Sequence, residues 1–217
     1  QMTFTGITTQ KGKDGKATVV SSYRLDSLKC NLTITYVIKP CGGIEVTERL
    51  VADADAPQDI QMIRFGMVMQ LPASMDVSTY YGRGPVENYN DRHDSQNIGI
   101  YTQTCKEQYF PYVRPQETGT KSDIRWWKQG NMLITAEKPF FASALRAEVS
   151  DIDDGWEKEQ RHQNDVKTSP YVNLYLDGEH AGVGGINSWS REAQALPQYQ
   201  VHLKGEKVFK FVMKPVK

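Results

Sequence analysis

The sequence predicts an all-β protein, a large sandwich of short antiparallel strands with at most one short helix. Three observations carry that expectation. Apolar and polar residues alternate with a period of two over several stretches, as in half-buried strands. Clusters of Gly, Pro, Asn and Asp punctuate those stretches at the spacing of a sandwich. Only one substantial helix is expected, beginning near residue 151.

Taken in order, residues 17–24 read as the first strand. Residues 31–38 alternate cleanly, with Leu32, Ile34, Tyr36 and Ile38 on one face and Thr33 and Thr35 on the other. Pro40-Cys41-Gly42-Gly43 then supplies turn chemistry. Ile44, Val46 and Leu50 resume the alternation, so residues 31–51 form a hairpin or meander. A polar loop at 53–59 contains Pro57, and residues 62–71 form a Met-rich strand broken by Gly66. Residues 77–81 are a short strand leading into Gly82-Arg83-Gly84-Pro85-Val86-Glu87-Asn88-Tyr89-Asn90-Asp91-Arg92. From there to about residue 120 the pattern predicts a long irregular segment. Its aromatics, Tyr109, Phe110 and Tyr112, suggest a loop packed down on the sheet, and loops of that length are often functional.

Residues 123–128 and 132–137 flank Gly130-Asn131 and predict a hairpin. Residues 140–145 read as a separate apolar strand. Ser150-Asp151-Ile152-Asp153 resembles a capping box, which predicts a helix over residues 151–161. Residues 171–176, 198–203 and 207–213 complete the strands. The last holds Val208, Phe209, Phe211, Val212 and Met213, dense enough for a buried sheet.

Bulk properties narrow the function. At 217 residues, 39% apolar and 24% charged, the chain can bury a substantial core and is not of disordered composition. Lys+Arg and Asp+Glu stand at 26 each, so no net field favours nucleic acid or an anionic membrane. No apolar run approaches the roughly 20 residues of a spanning helix. A start at Gln1-Met2-Thr3 suggests a fragment or a processed product. Cys30, Cys41 and Cys105 make no disulfide framework: an extended strand would hold the first two on the order of 30 Å apart, where a bridge needs about 7 Å. No Cys/His cluster points to structural zinc.

The candidate chemistry centres on Asp177-Gly178-Glu179-His180-Ala181-Gly182-Val183-Gly184-Gly185-Ile186-Asn187-Ser188-Trp189-Ser190, where an apolar strand runs into a glycine-rich loop. Neither Gly82-Arg83-Gly84 nor Gly182-Val183-Gly184 continues to the third glycine of a dinucleotide fingerprint. Neither lies in a βαβ unit, which argues against nucleotide binding. Arg83, Glu87, Asp91 and Arg92 are suited either to a polar ligand or to satisfying the backbone of a loop that crosses the sheet. His180 is either a hydrogen-bonding anchor or, with a carboxylate such as Glu87, one half of an acid–base pair. Trp126 and Trp127, adjacent on a strand, face opposite sides, one of them toward the core. Trp156 packs the expected helix on the sheet. Trp189 either plugs the end of the core or offers a stacking face to a sugar, with Asn187 and its serine neighbours fixing hydroxyls.

Three motifs occurring in one order give a resemblance. Tyr81-Gly82-Arg83-Gly84-Pro85-Val86-Glu87-Asn88-Tyr89-Asn90-Asp91-Arg92, Tyr112-Val113-Arg114-Pro115-Gln116-Glu117-Thr118-Gly119 and Gly182-Val183-Gly184-Gly185-Ile186-Asn187-Ser188-Trp189 resemble the C-terminal small-chain domain of bacterial β-galactosidases of glycoside hydrolase family 2. The resemblance extends from about residue 18 to the C-terminus. It implies that residues 1–217 are one antiparallel supersandwich of the galactose mutarotase-like type, entered partway into the family's domain. The parent it implies is a larger, homo-oligomeric enzyme. Its separate (β/α)₈ barrel carries two catalytic glutamates, and Mg and Na, where used, sit in other domains. By its place in the motif, Trp189 matches the tryptophan that this domain lends to the β-galactoside site. Asn187 and His180 are further substrate-binding candidates. Where the family often has an acidic pair, this chain has Ile186-Asn187. On this basis the chain carries no catalytic residue, metal or cofactor of its own. Two alternatives are an aldose 1-epimerase-like enzyme and a free-standing carbohydrate-binding module.

Overall fold

In a computed structural model, which describes residues 2–57, 60–153, 155, 162–185 and 193–216, strands dominate the chain. In chain order they are Met2–Lys11 (β1), Ala17–Leu25 (β2), Cys30–Ile38 (β3), Ile44–Ala52 (β4), Gln61–Met62 (β5), Arg64–Pro72 (β6), Val77–Gly84 (β7), Asn97–Thr104 (β8), Lys121–Gln129 (β9), Met132–Leu145 (β10), Tyr171–His180 (β11), Val201–His202 (β12) and Glu206–Pro215 (β13). Among the described residues two single-turn helices, Cys105–Gln108 (α1) and Val149–Ile152 (α2), interrupt them. Every strand pairing among the described residues is antiparallel, as the all-β reading requires.

The main sheet runs β1-β2-β3-β4-β13-β10-β9-β7-β8, with β11 branching from β10 and β6 pairing with β11. β10 makes the branch possible because it changes partner along its length. Met132–Ala136 pair with β13, whereas Phe141–Leu145 pair with β11. Pro139, which has no N–H to donate, lies inside the register shift between Thr135 and Phe140, where the strand leaves one neighbour for the next. The β11–β6 branch lies against β13: a Cβ on Gly178 would fall 2.8 Å from the Phe209 ring. Phe140, Phe209, Phe211, Ile134, Leu174 and Leu176 fill the common core. A two-stranded sheet of β12 and β5 stands apart.

The predicted alternation holds in β4 and, in β3, for Leu32, Ile34 and Tyr36, which pack on the core, whereas Ile38, expected on the same face, is 40% exposed at the strand end. Val46 and Leu50 point inward from β4, and Glu48 lies buried in the same row between them. Gly130 turns the β9–β10 hairpin at φ +55°, with Gln129 opposite Met132. Trp127 is the tryptophan of its pair that enters the core. It stacks on Tyr80 at 4.8 Å and its Nε1 donates to Gln129 Oε1.

Several boundaries differ from expectation, each for a physical reason. β1 was not foreseen, because its apolar residues Met2, Phe4 and Ile7 face solvent at the sheet edge. Within the segment expected to be irregular, β8 pairs with β7 and α1 follows it. A Thr104–Glu107 capping box starts α1, a signature present in the sequence. The helix expected over residues 151–161 does not start there. α2 begins after Glu148 and ends at extended Asp153, with Gly155 at φ +108°; Trp156 and the rest of the expected helix lie outside the described residues. Residues 140–145 belong to the long β10. The strand expected over 198–203 shrinks to β12 behind a 3₁₀ turn, Pro197–Tyr199. Gly66 does not break its strand but is paired with Asp177.

Candidate functional site

The largest departure concerns β11, which continues through Asp177, Gly178 and Glu179 to His180. A β-bulge at Gly178, between Asp177 and Glu179, lets it do so. Residues three apart on a regular strand face opposite sides. The extra bulge residue instead puts Asp177 opposite Gly66 and His180 opposite Arg64, both on one face. Arg64 is thereby directed at three groups of β11. It lies 3.5 Å from Asp177 Oδ2, 3.2 Å from His180 Nε2, and over the Tyr175 ring at 5.1 Å. Its second nitrogen donates to Glu117 Oε2 at 2.5 Å.

His180 is 1% exposed, its ring set between Tyr89 at 5.3 Å and Phe141 at 5.8 Å. Nδ1 donates to the Ala181 carbonyl at 2.7 Å, which leaves Nε2 to accept from Arg64. The carboxylate nearest to that ring is Glu117, 3.8 Å away. Glu87, the partner considered from sequence, is occupied elsewhere. It accepts from Arg92 at 2.6 Å, from the Gly119 amide at 2.7 Å, from Thr118 Oγ1 at 3.2 Å and from the Tyr112 hydroxyl. Burial pushes the Glu117 carboxyl up, but its contacts with His180 and Arg64 outweigh that and hold it below the usual range. Asp177 is 1% exposed with neither oxygen hydrogen-bonded, and burial raises its pKa to about 6 despite Arg64.

The loop after β7 closes this assembly. Tyr89 and Arg92 exchange backbone hydrogen bonds of 3.1 and 3.0 Å, a two-residue turn with Asn90 and Asp91 at its tip. Asn90 Nδ2 donates to the His180 carbonyl at 2.9 Å. Asp91 accepts from the amides of Val183 at 3.2 Å and Gly184 at 2.7 Å. The first motif therefore rests on the second through Glu87, on the end of β11 through Asn90, and on the start of the third motif through Asp91. Asn187 and Trp189 lie outside the described residues.

Beside Arg64, Glu117 and Tyr175 is a crevice too tight to hold even a water molecule, whereas ligand pockets run to ~300–1,000 Å³. Among the described residues no group of three or more His, Cys, Asp or Glu is placed to hold a metal ion.

The motifs that meet here are those of a known family. A family model described as "Beta galactosidase small chain" matches residues 1–213. The chain belongs to the β-galactosidase small-chain family. Among curated relatives, a β-galactosidase of Vibrio cholerae is 30% identical over 189 residues, 85% of this chain and 18% of the relative. A β-galactosidase of Lactobacillus delbrueckii is 29% identical over 94% of this chain and 20% of its own length. One from Leuconostoc mesenteroides is 36% identical over 61% of this chain and 12% of its own. The chain thus spans a fifth or less of the length of these relatives.

For a small-chain member, the residues that sequence reading overlooked are Arg64 and Glu117. An arginine in a Met-rich, largely apolar strand was the available signal, since a buried guanidinium requires carboxylate partners.

Proposed function

We propose that this chain is an accessory region of a β-galactosidase, and that it lends Trp189 to a sugar site completed by another part of the same enzyme. Membership in the small-chain family carries the reading. The relatives named β-galactosidases are five times or more as long as the stretch they share with this chain, which leaves room for catalysis elsewhere in the enzyme. A retaining glycosidase needs two carboxyl groups about 5–5.5 Å apart across an accessible scissile bond. The carboxylates gathered at the motif junction have other roles: Glu87 is filled by four donors, Glu117 by Arg64, and Asp177 is buried.

In this reading the two catalytic glutamates sit on a (β/α)₈ barrel of the parent, any Mg or Na in its other domains, and the parent is a homo-oligomer. This chain by itself does not hydrolyse a glycoside. Trp189 stacks on the apolar face of the β-galactoside, Asn187 contacts a hydroxyl, and His180 acts from behind by orienting the strand end from which the loop departs. Changing Trp189 to Ala in the full-length enzyme should raise KM for a β-galactoside by about tenfold or more, with kcat less affected. Unchanged kinetics would sink the proposal.

An epimerase would need a histidine and a carboxylate facing each other across an open groove. His180 and Glu117 are close, but the His180 side chain is 0% exposed and Tyr89 lies against its ring. Optical rotation of α-galactose with the added chain tests that rival, and calorimetry with galactose or lactose tests a free-standing binding module.

A further inference from the structure

We propose that Asp91 is the positioning residue of the glycine loop. On the reading of Trp189 given above, its carboxylate sets the direction in which the chain leaves β11 toward the sugar. Asp91 does not belong to that loop; it reaches it across more than ninety residues of sequence, from the tip of the Tyr89–Arg92 turn. One oxygen accepts from Val183 and the other from Gly184. Two adjacent amides on one carboxylate fix both the place and the orientation of that peptide unit, and a charged acceptor makes both bonds stronger than neutral ones.

The glycines fit this contact. A Cβ on Gly182 would lie 2.4 Å from Asp91 Oδ2 and 3.0 Å from the Ala195 Cβ, and one on Gly184 would lie 3.0 Å from Asp91 Oδ2. Gly182 thus passes closely between the Asp91 carboxylate and Ala195. On its other side the Gly182 amide donates to the Tyr199 carbonyl at 2.8 Å, and Gln200 Nε2 donates to the Ala195 carbonyl at 2.7 Å. Departing and returning chain are held together there, with Asp91 as the side-chain contribution from the other motif.

The pedestal under Asp91 is itself fixed. Tyr89 is 1% exposed, and Arg92 is tied to both Glu87 and Tyr112. Asn90, the other tip residue, holds the His180 carbonyl. The turn therefore grips the chain at His180 and again at Val183–Gly184, leaving little freedom to the stretch between.

The test is a double-mutant cycle in the full-length parent enzyme, with Asp91→Ala, Asp91→Asn and Gly182→Ala each made alone and with Trp189→Ala. Asp91→Ala should raise KM about tenfold with kcat within about twofold, Asp91→Asn should do so less, and neither should add to Trp189→Ala. Hydrogen–deuterium exchange of the peptide covering residues 181–185 supplies a readout independent of sugar. Its uptake should accelerate at least about tenfold in Asp91→Ala and less in Asp91→Asn. Unchanged exchange in Asp91→Ala would overturn the assignment. So would an equal rise in KM with and without Trp189, because Asp91 would then act elsewhere. If Trp189→Ala alone leaves KM unchanged, the role given to Trp189 fails, and the exchange result still decides whether Asp91 holds the loop.

Discussion

Glu48 occupies a core position of β4, between Val46 and Leu50, where the strand's own alternation calls for an apolar side chain. One of its oxygens is buried without a hydrogen-bond partner, and burial, reinforced by the nearby Asp177, raises its pKa to about 7. A raised folded-state pKa means that the fold binds the proton more tightly than the unfolded chain does. The corresponding stability is complete below the unfolded value near 4.5 and is lost as pH climbs through about 7. Glu48→Gln should therefore stabilise the protein at pH 8 by on the order of 1–3 kcal/mol and by little at pH 5. Thermal melts at the two pH values check this, and an equal gain at both would refute it. Lys121 works in the opposite sense. It is fully buried and donates to the Gly119 carbonyl, and burial depresses its pKa to about 7 with Glu87 only partly compensating. Its contribution is complete above about 10.5 and is lost as pH falls through about 7.

At the scale of elements, the β6–β11 pair determines the site. The bulge at Gly178 turns Asp177 and His180 to one side, and Gly66 opposite it leaves room for the displaced backbone. A Cβ on Gly66 would lie 2.2 Å from the Leu176 carbonyl oxygen and 2.5 Å from the Asp177 Cα, both main-chain atoms that cannot swing away. Gly66→Ala should cost about 2–4 kcal/mol. It should also speed amide exchange along β11. Gly6 in β1 is the control, since a Cβ there meets nothing within 4 Å. Gly6→Ala should leave denaturant midpoints nearly unchanged, within about 0.5 kcal/mol. Equal losses for the two variants would contradict the assigned role of the bulge.

At the scale of the whole molecule, the main sheet ends at β1 among the described residues. β1 is an edge strand of ten residues with no charge before Lys11 at its end. Met2, Phe4 and Ile7 are 54%, 57% and 59% exposed on it. Edge strands of this kind are usually guarded by charge, proline or a covering element. With 26 positive and 26 negative side chains, net repulsion does little to keep copies apart at neutral pH. The 217-residue chain by itself should aggregate more readily near pH 7 than at pH 9, and Phe4→Lys should slow that aggregation several-fold. Light scattering against time measures both effects, and an unaffected rate in Phe4→Lys would locate the association elsewhere.

Strand content, the β3–β4 alternation, the Gly130 hairpin and the division of Trp126 from Trp127 were legible in the sequence, because each depends on residues adjacent in the chain and on a period of two. The motifs were legible as well, and with them the family. What only the tertiary structure decided is which motif residues meet. Glu117 rather than Glu87 stands beside His180, Arg64 joins them from a strand that carried no motif, and Asp91 grips Val183 and Gly184. A bulge of one residue reverses the side to which every later residue of a strand points, and a sheet that branches at β10 brings together segments a hundred residues apart. Neither effect leaves a local trace, so partners across the sheet follow from register and topology rather than from spacing along the chain.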